Sequence, residues 1–227
     1  MAGKVVASTL RASAGARRSV KISLWLLVAA LFCVGVFLAA VLIRSDGNPT
    51  RSTAQPVVGE IAPDFALKDV DGREFCLSER AGKTPVVLEF GSYTCPYCMA
   101  TLEPMKTLAR KYDGKIEFVI IYCREAHPGM KMKSMGGVGD LPLLEQTNNR
   151  EERAERAARF GREMKIPQRI LVDEDGDDSI QQRYGEWPNQ TIVVDVTGVV
   201  RSMANTNPWK LDSFLQENVL KEALDRK

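Results

Sequence analysis

An apolar run without a single charge spans residues 22–43 (ISLWLLVAALFCVGVFLAAVLI). At about 1.5 Å rise per helical residue it matches a hydrocarbon core of roughly 30 Å, which predicts one transmembrane helix over 22–43. Residues 44–57 are mostly polar, rich in Ser, Thr, Pro and Gly, and read as a flexible linker. From residue 58 to 227 the pattern is that of one folded domain. DFAL (64–67) and EFCL (74–77) alternate polar and apolar about Asp71-Gly72, the mark of an N-terminal β-hairpin. Val86 to Phe90, closed by Gly91-Ser92, and Ile116 to Tyr122 are short apolar runs suited to buried parallel strands. Between them, Met99 to Tyr112 puts Leu102, Met105, Leu108 and Ala109 on one helical face, with Pro104 as an expected kink.

Glu125 to Asn149 holds four Gly, two Pro and three Met, and is expected to be a long loop. Arg150 to Lys165 has helical period, with Ala154, Ala157, Phe160 and Met164 as its stripe. Glu152–Arg156 and Glu155–Arg159 are its expected i,i+4 pairs, on a solvated charged face. Further strands are expected at Arg169–Val172, Gln190–Asp195 and Val199–Met203, the last two joined by a turn at Thr197-Gly198. Trp209 to Leu224 reads as a closing amphipathic helix. This alternation predicts an α/β domain with a central mixed β-sheet flanked by helices.

At 44% hydrophobic and 26% charged, the 227-residue chain is neither disordered nor fibrous. Five cysteines are too few for a disulfide scaffold, and a single His argues against an imidazole-rich zinc site. The net charge of +2 is a local surplus: residues 1–49 hold six Lys or Arg and one Asp, the remainder 25 basic and 28 acidic residues. The domain is thus mildly acidic, and no nucleic-acid partner is expected. Lys4, Arg11, Arg17, Arg18 and Lys21 precede the apolar run and only Arg44 follows it before Asp46. The positive-inside rule then places residues 1–21 in the cytoplasm and the domain on the extracytoplasmic side of the cell membrane. A cleaved signal peptide is the competing reading, but its apolar region would run about 7–15 residues. Cys33 lies within the span and reads as a packing residue.

The candidate chemistry is Cys95-Pro96-Tyr97-Cys98, set where the first buried strand ends and the next helix begins. Two intervening residues in a first helical turn bring cysteine Cα atoms within the roughly 7 Å that a disulfide requires. Cys95 is expected to expose its sulfur ahead of the helix, where unpaired N–H groups and the dipole favour thiolate over thiol. Cys98, one turn in, is expected to be more buried and to resolve a mixed disulfide. Pro96 suits the first helical position, which needs no N–H. Half of a zinc knuckle is the other use of such a pair, but the chain has no second CxxC. An extracytoplasmic site would face an oxidising compartment in which a dithiol can cycle.

Residues 59–67 (GEIAPDFAL), Asp71-Gly72 and the CxxC resemble the redoxin branch of the thioredoxin-like superfamily. Residues 87–96 (VLEFGSYTCP) and 120–128 (IIYCREAHP) resemble the iodothyronine deiodinase family more closely still, as do 172–174 (VDE), 184–188 (YGEWP) and 207–209 (NPW). The resemblance spans Gly59 to Leu224. It implies a thioredoxin-like fold with a membrane anchor, Cys95 in the place of the family's selenocysteine nucleophile, and His127 as proton donor or substrate contact. Two departures rank the chemistries. Sulfur attacks iodine less readily than selenium, and Cys98 stands where the animal enzymes have no second thiol, giving the CPYC pattern of glutaredoxins. The expected activity is therefore thiol–disulfide exchange, with Cys95 as nucleophile and Cys98 as resolving thiol. Reductive deiodination through Cys95 and His127 is the alternative. The peroxiredoxin pattern PxxxTxxC is absent. The expected partner is a protein dithiol or disulfide client or a small thiol reductant, and no cofactor is expected.

Thr94, Pro96 and Tyr97 are expected to contact substrate beside the thiols. The superfamily resemblance implies that Pro188 is cis, lies against the CxxC and presents backbone to an extended substrate; the other reading is an ordinary trans turn proline before Gln190. Trp187 would flank the site or belong to the core. Cys123 and Cys76 read as packing thiols. Met130, Met132 and Met135, close after His127, give a third reading, a Cu(I) chaperone that uses Cys95, Cys98 and His127; a flexible apolar lid is the plainer one. The acidic run Asp173 to Asp178 misses the calcium-loop spacing and reads as a solvated turn.

Overall fold

The computed structural model describes residues 55–135, 139–176, 179–185, 190–205 and 217–225. The expected span over 22–43 lies outside them, and among the described residues no helix is long and apolar enough to cross a membrane. The strands are β1 (Ala66–Lys68), β2 (Glu74–Cys76), β3 (Val86–Gly91), β4 (Glu117–Tyr122), β5 (Arg169–Val172), β6 (Gln190–Val194) and β7 (Val200–Asn205). The helices are α1 (Pro96–Lys111), α2 (Arg150–Glu163), α3 (Ile180–Tyr184) and α4 (Glu217–Asp225).

β3 is buried along its whole length because a neighbour covers it on each edge and packed elements cover both faces. It runs parallel to β4 and antiparallel to β6, within a mixed sheet of order β5-β4-β3-β6-β7. Strand alternation splits its side chains. Leu88 and Phe90 join Phe65, Leu67, Phe75, Ile121, Leu171, Tyr184 and Ile192 on one face. Val87 points the other way, with Met105, Tyr112, Val193 and Leu220. The steps β3–α1–β4 and β4–α2–β5 move along the sheet in the same direction. Right-handed crossovers then place α1 and α2 on one face, where Met99, Leu102, Ile120, Phe160 and Ile170 pack together. Each fully buried Leu or Phe side chain contributes about 2 kcal/mol.

The expected hairpin forms as β1–β2, with Leu67 opposite Phe75 and Gly72 at φ 81° in its turn. It guards the outer edge of β5, where the Val70 N–H donates to the Ile170 carbonyl at 3.1 Å. α1 starts three residues earlier than its apolar stripe suggests and continues through Pro104, whose missing N–H removes only one helical bond.

Two expectations are corrected. The charges of α2 are not all solvated: Arg153 is buried, donating to the Asp173 carbonyl at 2.8 Å and pairing with Asp175. Arg159 pairs with Glu163 instead of Glu155, and the Glu152 carboxylate takes the Asn148 N–H instead of Arg156. Surface i,i+4 pairs are worth only about 0.2–0.5 kcal/mol, so any better local partner displaces them. The acidic run is likewise not a solvated turn throughout. Asp173 is buried and accepts the N–H groups of Glu174, Ile180 and Gln181 and the Ser179 hydroxyl, which starts α3, a helix the sequence pattern does not announce.

Candidate functional site: a dithiol at the start of α1

The loop from β3 to α1 carries Ser92, Tyr93, Thr94 and Cys95. Cys95 caps α1 with extended backbone (φ −89°, ψ 110°), and its sulfur accepts the Cys98 N–H at 3.4 Å. Pro96 occupies the first turn, where its missing N–H leaves nothing unpaired. Both cysteines are present as thiols. Cys95 is only 2% exposed, which corrects the expectation of an open sulfur. The preceding loop is held down on residues 122–127, and Tyr97, between the two cysteines, is 37% exposed.

The two thiols differ in acidity. Donation from the Cys98 thiol, helped by the N–H groups of Cys98 and Tyr97, holds Cys95 below the ordinary thiol value against burial and the nearby Glu89 charge. Burial, then the neighbouring Cys95 and Glu89 charges, push Cys98 well above it. The Cys98 sulfur also lies 3.6 Å from the Phe90 carbonyl. The two thiols are thus biased in opposite directions, Cys95 toward the thiolate and Cys98 toward the thiol.

Glu89 is a site residue that sequence reasoning missed. It is buried on the α1 side of β3 and accepts the Thr101 hydroxyl at 3.3 Å. Burial raises its pKa to about 7, within proton-exchange range of a thiol near neutral pH. The available signal was a carboxylate inside the apolar run VVLEF.

The second missed residue is Glu125, whose side chain is fully buried. Its carboxylate accepts the Thr94 N–H at 3.0 Å, the Thr94 hydroxyl at 2.6 Å and the Tyr122 hydroxyl at 2.6 Å. The His127 N–H donates to the Thr94 oxygen at 3.2 Å, and the Ala126 N–H to Ser92 Oγ at 3.1 Å. These bonds bring the half-buried His127 and the loop before Cys95 together, across the parallel pairing of Gly91 with Tyr122. Thr94 and Pro96 are buried, serving the cap from beneath it. Cys123 is buried, its thiol donating to the Ile121 carbonyl at 3.3 Å, and burial raises its pKa well above the ordinary value. Cys76 is half-buried against Ser78 and Asp64, away from these groups.

Trp187 and Pro188 lie outside the described residues. Met130 is exposed while Met132 packs against the core under α2, so those two thioethers have different surroundings. Among the described residues, no three His, Cys, Asp or Glu side chains group to hold a metal. A polar cavity of about 460 Å³, lined in part by Arg124, Glu125, Ala126 and Gln146, adjoins the loop partners of Cys95. A larger one, about 770 Å³, sits at the start of β5 and includes no residue of the CxxC loop.

Comparison with known proteins agrees with this architecture. The Chlorobium tepidum protein assigned as thiol:disulfide interchange protein DsbE superposes with a TM-score of 0.55 at 20% identity, over 75% of this chain and 99% of that one. A Bacteroides thetaiotaomicron protein assigned as a protein disulfide isomerase gives 0.53 at 20% identity, over 75% and 92%. The fold is thioredoxin-like. Thyroxine 5-deiodinase of Gallus gallus is 30% identical over 139 residues, 60% of this chain and 52% of the relative. The Homo sapiens enzyme is 39% identical over 72 residues, 31% of this chain and 24% of the relative. The matches thus span from a quarter to about half the length of these relatives. A model of the iodothyronine deiodinase family matches residues 31–221, and the chain belongs to that family.

Proposed function

We propose that the protein is a thiol–disulfide oxidoreductase that works through Cys95 and Cys98. The observation that carries this reading is the CxxC at a helix start, where the Cys95 sulfur caps α1 and accepts the Cys98 N–H at 3.4 Å while Cys98 is buried one turn on. In the reducing direction the Cys95 thiolate attacks one sulfur of a client disulfide, forming a mixed disulfide and releasing a client thiolate. Glu89 takes the Cys98 proton, and the Cys98 sulfur attacks Cys95. The internal disulfide closes and the second client thiolate leaves, so two electrons pass to the client. The run at 22–43 supports a single-pass anchor with the dithiol outside the cytoplasm.

The test is insulin-disulfide reduction by the full chain. Cys95→Ser should abolish it and Cys98→Ser should accumulate the mixed disulfide; full activity in Cys95→Ser would end the reading.

Family membership and the Glu125–Thr94–His127 arrangement favour a second reading, reductive deiodination. There the Cys95 thiolate takes iodine from the aromatic ring as a sulfenyl iodide, and His127 protonates the ring carbon. Cys98 then displaces iodide and closes the disulfide. Iodide release from an iodothyronine with dithiothreitol, persisting in Cys98→Ser, would favour it over exchange.

A further inference from the structure

Arg156 turns inward from α2. Its Nη1 donates to the Glu145 carbonyl and lies 3.4 Å from Glu125 Oε1. The Glu125 carboxylate is fully buried, and the other donors on it, from Thr94 and Tyr122, are neutral. Arg156 is the one cation on this carboxylate among the described residues. A carboxylate out of water keeps its charge only where an opposite charge and donors offset the lost hydration. Thr94, held at both its N–H and its hydroxyl by Glu125, is the residue before the Cys95 cap.

We propose that Arg156 is a positioning residue for the Cys95 nucleophile. By pairing with the buried Glu125 carboxylate it holds that group against Thr94, and so holds the cap geometry in which the Cys95 sulfur meets the N–H of Cys98. Through the Glu145 carbonyl the same guanidinium ties the segment before α2 to that carboxylate. The other titratable group facing this pair is Tyr122 from β4; those facing Cys95 are Cys98, Glu89 and Cys123. Burial and the Glu125 charge keep Tyr122 a phenol, so its donation persists across the pH range of interest. Loss of Arg156 leaves the buried Glu125 carboxylate without its cationic partner and without its tie to the Glu145 carbonyl, and so loosens the loop that Glu125 holds. The inference rests on Cys95 being the nucleophile and is independent of the substrate it attacks.

The experiment is iodoacetamide alkylation of the reduced full-length chain in detergent from pH 5 to 9, resolved peptide by peptide by mass spectrometry. R156Q should raise the apparent pKa of Cys95, slowing its alkylation at pH 7 about three- to tenfold. R156K, which keeps the charge, should slow it less. R150Q, which breaks the Glu174 pair on the same helix, should leave the Cys95 titration unmoved, as a merely structural pair would. In an E125Q background R156Q should add nothing, because both act through one carboxylate. A folded R156Q chain that titrates Cys95 like the parent overturns the proposal, and so does an additive effect in E125Q. If R156Q does not fold, unchanged titrations in both R156K and E125Q overturn it. Failure of Cys95 to alkylate ahead of other thiols in the parent chain would instead sink the nucleophile reading.

Discussion

Replacing Glu89 with Gln removes a carboxyl group buried between β3 and α1, whose pKa burial lifts from 4.5 to about 7. Gln keeps the oxygen that accepts the Thr101 hydroxyl, so the main change is loss of the ionisation. Between these two values the folded chain holds a proton that the unfolded chain has released. Parental stability therefore falls as pH rises through that window, with no penalty below pH 4.5 and the full penalty above pH 7. At about 1.4 kcal/mol per pH unit, the window amounts to roughly 3 kcal/mol. Guanidinium unfolding of the full chain in neutral detergent, with Cys95 and Cys98 oxidised so that neither titrates, measures it. The E89Q stability curve should gain roughly 3 kcal/mol on the parent's between pH 4.5 and 7.5. Curves that stay parallel would refute both the buried carboxyl and its role as proton acceptor for Cys98.

Two further substitutions test the packing around the site. A Cβ on Gly161 would lie 2.8 Å from Ile170 Cδ1, so Gly161→Ala should destabilise by about 1–3 kcal/mol in thermal melts, where an open helical site would gain. Adding Ile170→Val should recover part of that loss. Asp173→Ala strands three N–H groups and a hydroxyl at the start of α3, and should lower stability by about 2–4 kcal/mol in denaturant titrations.

The sheet and its helices are legible where one residue's neighbours decide its state. VVLEF and the run to Tyr122 are apolar because β3 and β4 are covered on both faces, and α2 shows its period through Ala157 and Phe160. The CxxC is legible because capping is local: Cys95, Pro96 and Cys98 lie within one helical turn. The supports of the site are not local. Thr94 meets Glu125 only because β3 and β4 run parallel in a register that sets Gly91 beside Tyr122. Arg156 reaches Glu125 only because α2 crosses the same face as α1. In the sequence both looked like ordinary surface charges, as did Arg153 and Asp173. Glu89 sat in plain view within an apolar strand, yet its significance depends on the two sulfurs that α1 sets near it.

The most direct measurement is the pH dependence of alkylation at Cys95 and Cys98 in the reduced parent chain. The account predicts that Cys95 reacts first, with an apparent pKa below that of a free thiol, while Cys98 stays silent until pH is well above 9. A Cys95 with ordinary thiol acidity, or a Cys98 that reacts before it, would contradict the account.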